Sequence, residues 1–444
     1  MINRNKKVAL HNLGCKVNAY ETEVMEQKLK NAGYEIVPFE PGADIYIINT
    51  CTVTNIADRK SRQMLHKAKR MNPDSIVVAA GCYTETDKEK VIADENIDIV
   101  VGNNKKRDII EILNDYFKKC EKIDASIDIN HTSEYEEMTL EQLSEHTRAY
   151  IKVQDGCNQF CTYCIIPYAR GRVRSRKISD IEKEAEILAG KGFKEIVITG
   201  IHIGSYGIDF DDKETGLIDV VEAICKIPGI ERVRLGSVEP RTITEDFMQR
   251  ISKQKEICPH FHLSLQSGCD TVLKRMNRKY NTKEFIKSCE LIRSYYKNAA
   301  ITTDVIVGFP GETEEEHNIT KKFISEVGFS DMHIFKYSVR HGTMAAGMPN
   351  QVPESIKTLR SAELIELCKK MQKEYRKRYI DSTTYVLFEE KEIINEKEYY
   401  TGHTKEYVKI MVESDDDITN EIKRVNVTDY YNDEILLAEI VNLY

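Results

Sequence analysis

The order of apolar and polar positions predicts an N-terminal series of strands and helices. Short apolar runs, typical of strands buried on both faces, alternate with longer segments that have one apolar face. The predicted strands cover residues 8–13, 45–48, 76–80 and 97–101, and the predicted helices cover 20–32, 56–70 and a segment from 85. This alternation predicts βαβ units and therefore a parallel sheet within residues 1–117.

A second series of the same kind follows in residues 143–373. Its predicted strands are 149–153, 195–199, 232–235, 260–263, 302–307 and 332–335, with helices between them, for example 178–191 and 282–296. Six strand–helix units with right-handed crossovers predict an open partial barrel related to the (β/α)8 form. In such barrels the chemistry takes place at the carboxyl ends of the strands.

The rest of the chain differs from both series. Residues 118–142 are polar and acidic, which indicates a linker. Residues 376–444 contain short strand-like runs at 385–388, 407–412 and 435–440, joined by polar turns, and predict a small antiparallel β-barrel. The expected fold class is therefore α/β, with an N-terminal parallel-sheet domain, a central partial barrel and a C-terminal β-barrel.

Composition places the chain among ordinary globular proteins. Hydrophobic residues make up 41% and charged residues 31%. No run of about 18 apolar residues indicates a membrane span, and the first residues lack the apolar stretch of a signal peptide. We therefore expect a cytoplasmic protein with no membrane partner, whose 12 cysteines are thiols or metal ligands and not disulfides. The net charge of −8 argues against indiscriminate nucleic-acid binding, so any RNA site must be a local basic patch.

Three cysteines in the spacing CX3CX2C are the strongest chemical signal. Cys157, Cys161 and Cys164 supply three soft thiolates within eight residues, and thiolates select zinc, Cu(I) or iron–sulfur clusters. A [4Fe–4S] cube usually has four cysteine ligands, so three leave one iron open to a small molecule. Zinc is the alternative, but structural zinc prefers four protein ligands, and no fourth His or Cys is near in sequence.

Three further cysteines occupy equivalent positions in the N-terminal series. Cys15, Cys51 and Cys82 each follow the end of a predicted strand by two or three residues. The carboxyl ends of parallel strands lie at one edge of a sheet. Any one of these residues alone is more often a buried core thiol, but three at the same topological position favour a second three-thiolate site.

The CX3CX2C loop, with Tyr163 before its last cysteine, resembles the signature of the radical S-adenosylmethionine (SAM) enzymes. The resemblance implies a [4Fe–4S] cluster on Cys157, Cys161 and Cys164 whose open iron binds SAM. An electron supplied through the cluster then splits a C–S bond of SAM to give a 5′-deoxyadenosyl radical. By the same resemblance we expect Gly200, Glu239 and Gln266 to contact SAM, although a glycine after a strand is by itself more often only a turn.

Three histidines are open to two interpretations. His202 either approaches SAM or is a hydrogen-bonded structural residue. His260 and His262 alternate along one predicted strand, and we expect them to serve the fold.

The arrangement of all three domains resembles the methylthiotransferases over nearly the whole chain. The motifs that carry this resemblance are Leu13-Gly14-Cys15, Asn49-Thr50-Cys51-Thr52-Val53-Thr54, Ala80-Gly81-Cys82 and Ile166-Pro167-Tyr168-Ala169-Arg170-Gly171-Arg172. It implies an auxiliary [4Fe–4S] cluster on Cys15, Cys51 and Cys82 that carries the sulfur to be transferred. One SAM would methylate that sulfur and a second would yield the radical, so the implied cofactors are two [4Fe–4S] clusters and SAM, with a reductant protein as a partner.

The substrate branch is also expected from resemblance. The family includes enzymes that act on adenosine 37 of tRNA, carrying either an isopentenyl or a threonylcarbamoyl group at N6, and an enzyme that acts on a ribosomal-protein aspartate. Residues 14–23, 52–63, 335–338 and 348–352 look most like the threonylcarbamoyl branch. The expected product is 2-methylthio-N6-threonylcarbamoyladenosine, with the tRNA anticodon loop as the partner.

Basic residues beside the cysteines suggest where RNA phosphates would bind. They are Arg170, Arg172, Arg174, Arg176 and Lys177 near one set, and Arg59, Lys60, Arg62, Lys67, Lys69 and Arg70 near the other. A charge run is usually a solvated face, and only proximity to the thiols favours phosphate binding here. Single-stranded loops present unstacked bases to a pocket, which suits an anticodon loop.

The C-terminal β-barrel resembles the RNA-binding TRAM domain but is acidic. Residues 376–444 hold nine Lys and Arg against sixteen Asp and Glu, a poor docking surface for phosphates. Either a basic face around Arg376, Lys377 and Arg378 contacts RNA, or the domain binds something else.

A non-catalytic, metal-stabilised RNA-binding scaffold is the alternative from another class of protein. Such a scaffold requires closed four-ligand sites, whereas both cysteine sets here contain three. The remaining cysteines have no metal-ligand spacing, and we expect buried or idle thiols; they are Cys120, Cys225, Cys258, Cys269, Cys289 and Cys368.

Overall fold

The computed structural model describes residues 6–140, 147–394 and 397–441. The expected domain boundary between residues 142 and 143 lies outside these residues, as does the chain end at 442–444. Within the described residues the predicted fold class is confirmed: an α/β N-terminal domain, a partial barrel and a small C-terminal β-barrel.

The N-terminal domain is built on a sheet of six strands, all paired in parallel, within the described residues. The strands are β1 (Lys7–Asn12), β2 (Glu35–Ile36), β3 (Ile45–Thr50), β4 (Ile76–Gly81), β5 (Ile99–Val101) and β6 (Ile123–Asp124), in the spatial order β2-β1-β3-β4-β5-β6. The helices are α1 (Lys16–Asn31), α2 (Asn55–Met71), α3 (Cys82–Thr86), α4 (Lys88–Ala93) and α5 (Ile109–Lys119). The order places β1, β3 and β4 side by side.

Burial explains why β3 has an unbroken apolar run. Every residue of β3 is buried. Ile45 and Ile47 face the large core shared with the barrel, whereas Tyr46 and Ile48 face a second core under α2. A strand covered on both faces has no need of alternating polar positions.

The segment expected to be a linker, residues 118–142, is more structured than its composition suggests. It contributes β6 to the edge of the sheet, and the side chains of Met138 and Leu140 are buried in the large core. The Tyr20 hydroxyl donates to the carbonyl oxygen of Met138. The expectation of a plain linker is therefore wrong over the described part of this segment, because its few apolar residues fill the junction between two domains.

The central domain is an open partial barrel. Its strands are β7 (Arg148–Asp155), β8 (Arg174–Ser175), β9 (Glu195–Gly200), β10 (Arg232–Leu235), β11 (His260–His262), β12 (Ala300–Val307) and β13 (Asp331–Lys336). Six of them run in the order β7-β9-β10-β11-β12-β13, with bridges at Val233–Ile257 and Val238–Leu263 joining the two halves, and β8 adds antiparallel to β7. The prediction of six units is thus confirmed.

Helices cover the outside of this barrel. They are α6 (Ile166–Ala169), α7 (Ile178–Gly190), α8 (Leu217–Cys225), α9 (Glu245–Ile251), α10 (Asp270–Arg275), α11 (Thr282–Tyr295), α12 (Glu314–Val327) and α13 (Glu354–Lys377). Helix α1 of the N-terminal domain packs against β7 and β9, and one continuous core runs through both domains. Among the described helices, none combines the length and apolarity needed to cross a membrane.

The C-terminal domain is a closed barrel of five strands within the described residues. They are β14 (Thr383–Ile394), β15 (Lys397–His403), β16 (Lys409–Glu413), β17 (Ile422–Tyr430) and β18 (Ile435–Ile440). The pairs are antiparallel except β16 with β18, which is parallel. Tyr407, expected inside a strand, lies instead in the turn before β16 with φ of 72°.

This C-terminal barrel is docked on the amino-terminal ends of the partial-barrel strands. Arg232 donates to the carbonyl oxygens of His403 and Tyr385, and Arg234 donates to that of Lys405. The ring of Tyr407 stacks on His403 with 4.4 Å between centroids. The turn 404–408 therefore closes that end of the partial barrel.

Candidate active site with two cysteine sets

The N-terminal cysteine set lies at the carboxyl edge of three neighbouring strands. Cys15 caps α1 after β1, Cys51 directly follows β3, and Cys82 is the first residue of α3 after β4. Neighbouring strands lie about 4.8 Å apart, so the topology brings these three residues to one place. Cys51 interacts electrostatically with both Cys82 and Cys15, as expected of close thiols.

Gly14 allows the turn that carries Cys15 to lie close to Cys51. Gly14 has φ of +108°, a conformation that side chains rarely adopt. A Cβ at Gly14 would lie 2.9 Å from the Sγ of Cys51. The Gly14-Cys15 pair is thus required for the turn after β1 to pass directly over Cys51.

Groups from several elements surround Cys82. The Nδ2 of Asn103 lies 3.6 Å from its Sγ and also donates to the carbonyl oxygen of Ala169 at 2.8 Å. Arg170 is buried next to it and interacts with its charge. Asn103 and Arg170 therefore connect the N-terminal set to the segment that follows the CX3CX2C loop.

The second cysteine set begins where β7 ends. Gly156 has φ of +71°, and a Cβ there would lie 1.8 Å from the carbonyl oxygen of Arg172. The backbone N–H of Cys157 donates to Gly171, and that of Thr162 donates to Met276 at 3.1 Å. The loop is thus held between the chain that follows it and the chain after α10.

Burial keeps these thiols protonated in the absence of a metal. It raises the pKa of Cys157 to about 11 and that of Cys164 to about 12, and it also raises the pKa of Cys51 to about 11. The thiolate is the form that binds metals. Binding of iron must therefore displace these protons, which couples cluster assembly to pH.

Arg278 is the residue at this loop that sequence reasoning missed. Its guanidinium donates to the Sγ of Cys161 at 3.1 Å and to Glu239 at 2.8 Å. Burial opposes ionisation of Glu239, but the neighbouring imidazole of His202 and the charge of Arg278 hold its pKa below the ordinary value. No periodicity or spacing in the sequence marks Arg278, because it reaches the loop only through the fold.

The three residues expected to contact SAM occupy different positions. Gly200 ends β9 and lines the cavity inside the partial barrel. Glu239 does not line that cavity; Arg278 connects it to the CX3CX2C loop. Gln266 has φ of 68°, unusual for a residue with a side chain, and its backbone N–H donates to Asp304.

A cavity of about 770 Å³ occupies the interior of the partial barrel. Its wall includes Cys15 and Lys16 from the N-terminal domain, Gly200 at the end of β9, Ser237 after β10, and Tyr407 from the C-terminal barrel. The volume is in the range of pockets that hold ligands of drug size. Cys15 of one set therefore opens into the same space as the strand ends of the barrel.

Two histidines on the cavity wall differ in their contacts, because the Nδ1 of His260 is buried without a hydrogen-bond partner among the described residues. His262 is hydrogen-bonded to Thr302 and lies 3.2 Å from Asp304. His260 is paired in the sheet and has its pKa lowered by burial and by Arg234. His202 contacts Ser205 at 2.7 Å and Glu239 at 3.5 Å, so it touches the polar groups beside the CX3CX2C loop.

Charged residues buried between the two domains form a network around Glu21. Glu21 of α1 pairs with Lys152 at 2.7 Å and with Arg170 at 2.8 Å, and it also pairs with Lys106. Asp155 pairs with Lys152 at 2.7 Å and Arg170 at 3.1 Å. All of these side chains are buried. The network is possible only because each charge has an opposite partner.

The expectation that the Arg170–Arg176 run attracts phosphates is wrong for three of its members. Arg170, Arg174 and Arg176 are fully buried. Arg176 pairs with Glu184, and Arg170 pairs with Glu21. Arg172 and Lys177 of this run are exposed, as are most of the basic residues of α2. Alternate arginines point into the domain junction because β8 pairs with β7 there.

The donor sets fit iron–sulfur clusters better than single ions. Each set contains three thiols and has a buried cation beside it: Arg170 at Cys82 and Arg278 at Cys161. Within the described residues no three His, Cys, Asp or Glu side chains are grouped to hold one metal ion. A four-iron cube is larger than an ion, so its cysteine ligands lie further apart.

Comparisons with known proteins agree with this organisation. Residues 7–102 match the description "Uncharacterized protein family UPF0004", and residues 151–324 match the radical SAM superfamily. The structure resembles that of a radical S-adenosylmethionine methyltransferase, TsrM, from Kitasatospora setae. The TM-score is 0.56 and the identity 14%, over 74% of this chain and 73% of that one, which supports the fold alone.

Two curated relatives cover most of the chain. The threonylcarbamoyladenosine tRNA methylthiotransferase MtaB of Bacillus subtilis is 42% identical over 95% of this chain and 93% of its own length. The tRNA-2-methylthio-N(6)-dimethylallyladenosine synthase of Clostridium tetani is 37% identical over 88% of this chain and 87% of its own. The chain therefore belongs to the radical SAM methylthiotransferases, in the branch of the MtaB enzymes.

Proposed function

We propose that this enzyme methylthiolates C2 of N6-threonylcarbamoyladenosine at position 37 of tRNA, giving 2-methylthio-N6-threonylcarbamoyladenosine. The observation that carries the proposal is the shared cavity: Cys15 of the N-terminal set and Gly200 of the barrel line one space. A base that enters this space meets the edge of both sites.

The six cysteines divide into two ligand sets in this proposal. Cys157, Cys161 and Cys164 hold the cluster that binds SAM, and Cys15, Cys51 and Cys82 hold the auxiliary cluster. When bound, the first cluster with SAM supplies the radical, and the second supplies the sulfur. Gly200, Glu239 and Gln266 orient SAM. Arg278 and Arg170 stabilise the negative charge of the thiolates, because each buried cation lies beside one set.

The protein's own task is to place the target carbon and to exclude water. The turn 404–408 closes one end of the barrel, and α1 covers its side. Substrate then enters beside the N-terminal domain, where α2 carries exposed basic residues for RNA phosphates: Arg59, Lys60, Arg62, Lys67 and Arg70. The target adenosine of an anticodon loop must leave its stack to reach the cavity.

The nucleoside content of cellular tRNA tests the proposal. Bulk tRNA from cells that lack this protein should lose the methylthio form and retain unmodified N6-threonylcarbamoyladenosine, as measured by mass spectrometry. Re-expression of the intact chain should restore the product, and a Cys51→Ala chain should not. Loss of the methylthio isopentenyl nucleoside instead would assign the enzyme to the other tRNA branch. An unchanged tRNA profile would favour a ribosomal-protein substrate or a scaffold.

A further inference from the structure

Among the residues that the structure describes, the cavity wall carries one cation that has neither an ion pair nor a hydrogen bond. Lys16 follows Cys15 and lines the cavity, where its side chain is exposed. Within the described residues, no hydrogen bond or ion pair involves its ammonium group. An unpaired ammonium in a cavity rather than on the outer surface is available to a ligand.

The other charged side chains on the wall have hydrogen-bond or ion-pair partners. Arg376 donates to the carbonyl oxygen of Asp433, and Glu406 is hydrogen-bonded to Tyr379. Arg148 pairs with Glu389 at 3.0 Å, and Arg234 pairs with Glu195 at 2.7 Å. Asp304 lies 3.2 Å from His262, and Asp331 accepts a hydrogen bond from Gln372. In the described part of the chain, Lys16 is therefore the one charged side chain of this wall that no neighbouring group binds.

The remaining wall mixes polar side chains with apolar ones such as Val17, Val197 and Leu235. Thr199, Ser237 and Thr302 line the cavity together with His262 and Tyr150. His262 and Thr302 are already bonded to each other. An apolar substituent that displaced water would leave the hydroxyls of Thr199, Ser237 and Tyr150 without hydrogen-bond partners, which is costly. A substituent that carries hydroxyl, carbonyl and carboxylate groups would satisfy them.

From this arrangement we propose that Lys16 binds the carboxylate of the N6-threonylcarbamoyl group and so selects an anionic N6-substituent. The inference rests on the proposed function and adds to it a specificity-determining residue. In adenine, C2 and the carbon that carries N6 are both bonded to N1. A base with C2 directed at the Cys15 set therefore has its N6-substituent on the same edge of the ring.

The flexible stem of Lys16 suits this task. Lysine is a compact point charge on four methylene groups, able to follow a carboxylate that has some freedom. An isopentenyl group offers no charge and no acceptor. A site built to pair with a polar group rejects an analogue that lacks it far more strongly than an apolar pocket rejects an added group.

Equilibrium binding tests the role of Lys16 without turnover. The protein, loaded with its clusters and kept without reductant, is titrated with an anticodon stem-loop RNA that carries N6-threonylcarbamoyladenosine or its methyl ester. We expect the wild-type chain to bind the acid at least tenfold more tightly than the ester. In Lys16→Gln the ratio of the affinity for the acid to the affinity for the ester should fall to about one. In Lys16→Arg that ratio should be largely retained.

The matched control is Lys30→Gln, an exposed lysine at the other end of α1. Lys30→Gln should have the same ratio of acid affinity to ester affinity as the wild-type chain. Equal binding of acid and ester by the wild-type chain would overturn the proposal without any variant, so a folding defect in Lys16→Gln cannot hide the result. A preserved ratio in Lys16→Gln would also overturn it.

Two further measurements separate the alternatives. SAM affinity should be the same in Lys16→Gln and wild type; a parallel loss of SAM affinity would assign Lys16 to the methionyl carboxylate and overturn the proposal. Turnover of the threonylcarbamoyl RNA by the wild-type enzyme tests the proposed function independently. If that turnover occurs while Lys16→Gln keeps the acid preference, the function stands and only the role of Lys16 fails.

Discussion

The guanidinium of Arg278 donates a hydrogen bond to the Sγ of Cys161 at 3.1 Å. The same guanidinium holds Glu239, so one side chain connects a cysteine of the CX3CX2C loop with a carboxylate after β10. Partners of this kind commonly change metal affinity or activity 10-fold to 100-fold when removed. We expect Arg278→Gln to lower the rate of SAM cleavage by about that factor.

Lys279→Gln is the control for this change, because Lys279 is the exposed neighbour in the same loop. It should cleave SAM at the wild-type rate. The electron paramagnetic resonance signal of the reduced protein should change in Arg278→Gln for one cluster and not for the other. A wild-type cleavage rate in Arg278→Gln would show that the contact with Cys161 has no role in the chemistry.

The two cysteine sets should be separable by substitution. Cys157→Ala should abolish SAM cleavage, whereas Cys51→Ala should retain cleavage and stop thiolation. Cleavage is measured as 5′-deoxyadenosine and thiolation as the modified nucleoside. Iron analysis after anaerobic reconstitution should give about eight irons per wild-type chain and about four in either variant. Loss of cleavage in both variants would mean that the sets do not divide the work in this way.

Glu21 should be essential to the junction of the two domains. Glu21→Gln leaves Lys106, Lys152 and Arg170 buried with less negative charge around them. Removal of one partner from a buried ionic group typically costs about 3–5 kcal/mol. We therefore expect a lower midpoint of thermal unfolding. Glu26→Gln on the same helix, which breaks only a surface pair with Lys30, should leave the midpoint nearly unchanged.

Glu85 makes stability depend on pH near neutrality. Burial raises its pKa from 4.5 to about 7 in the folded protein, despite the hydrogen bond from Asn103. The folded state therefore holds a proton that the unfolded state releases, so stability falls as pH rises from about 4.5 to 7. Glu85→Gln should remove this loss of stability. Relative to wild type, its free energy of unfolding should be unchanged at pH 4.5 and higher by at most about 3 kcal/mol above pH 7.

Thermal unfolding across that pH range checks the prediction. The exposed residue Glu89 provides the control, since Glu89→Gln should follow the wild-type curve at every pH. A constant difference between Glu85→Gln and wild type from pH 4.5 to 8 would contradict a proton held by Glu85.

Tyr407 should hold the C-terminal barrel in place. Its ring lies between two arginines. The guanidinium of Arg148 is 5.1 Å from the ring centroid, and that of Arg234 is 4.8 Å from it. Tyr407→Ala removes these contacts, each worth about 0.5–2 kcal/mol. We expect faster tryptic cleavage at the exposed Lys377 and Arg378, and an unchanged rate for Tyr431→Ala, which removes an exposed ring.

Much of the fold follows from short-range pattern. The strands of both parallel series are apolar runs, and the convergence of Cys15, Cys51 and Cys82 follows from parallel topology once β1, β3 and β4 are neighbours. Short edge strands such as β6 and β8 were missed, because two residues carry no periodic signal. Strands β15 and β17 were missed because their surfaces are mostly polar.

The contacts that tune the site were less predictable. Arg278 lies more than a hundred residues from Cys161 in sequence and meets it only after the barrel has formed. The run from Arg170 to Arg176 has the composition of a solvated face, yet the carboxylates that bury it come from α1, β7 and α7. Charge in a sequence shows that a partner is needed, but only tertiary structure shows whether the partner is water, RNA or an internal acid.

The network around Glu21 limits how this enzyme can move during catalysis. Sliding the N-terminal domain away from the barrel would strip Lys152 and Arg170 of a shared counter-charge in a dry junction. The spacing between the two sets of thiols is therefore fixed by the protein. If SAM binds in the cavity, as in the proposed function, spent SAM is exchanged for fresh SAM through the cavity mouth while the two halves of the enzyme remain closed.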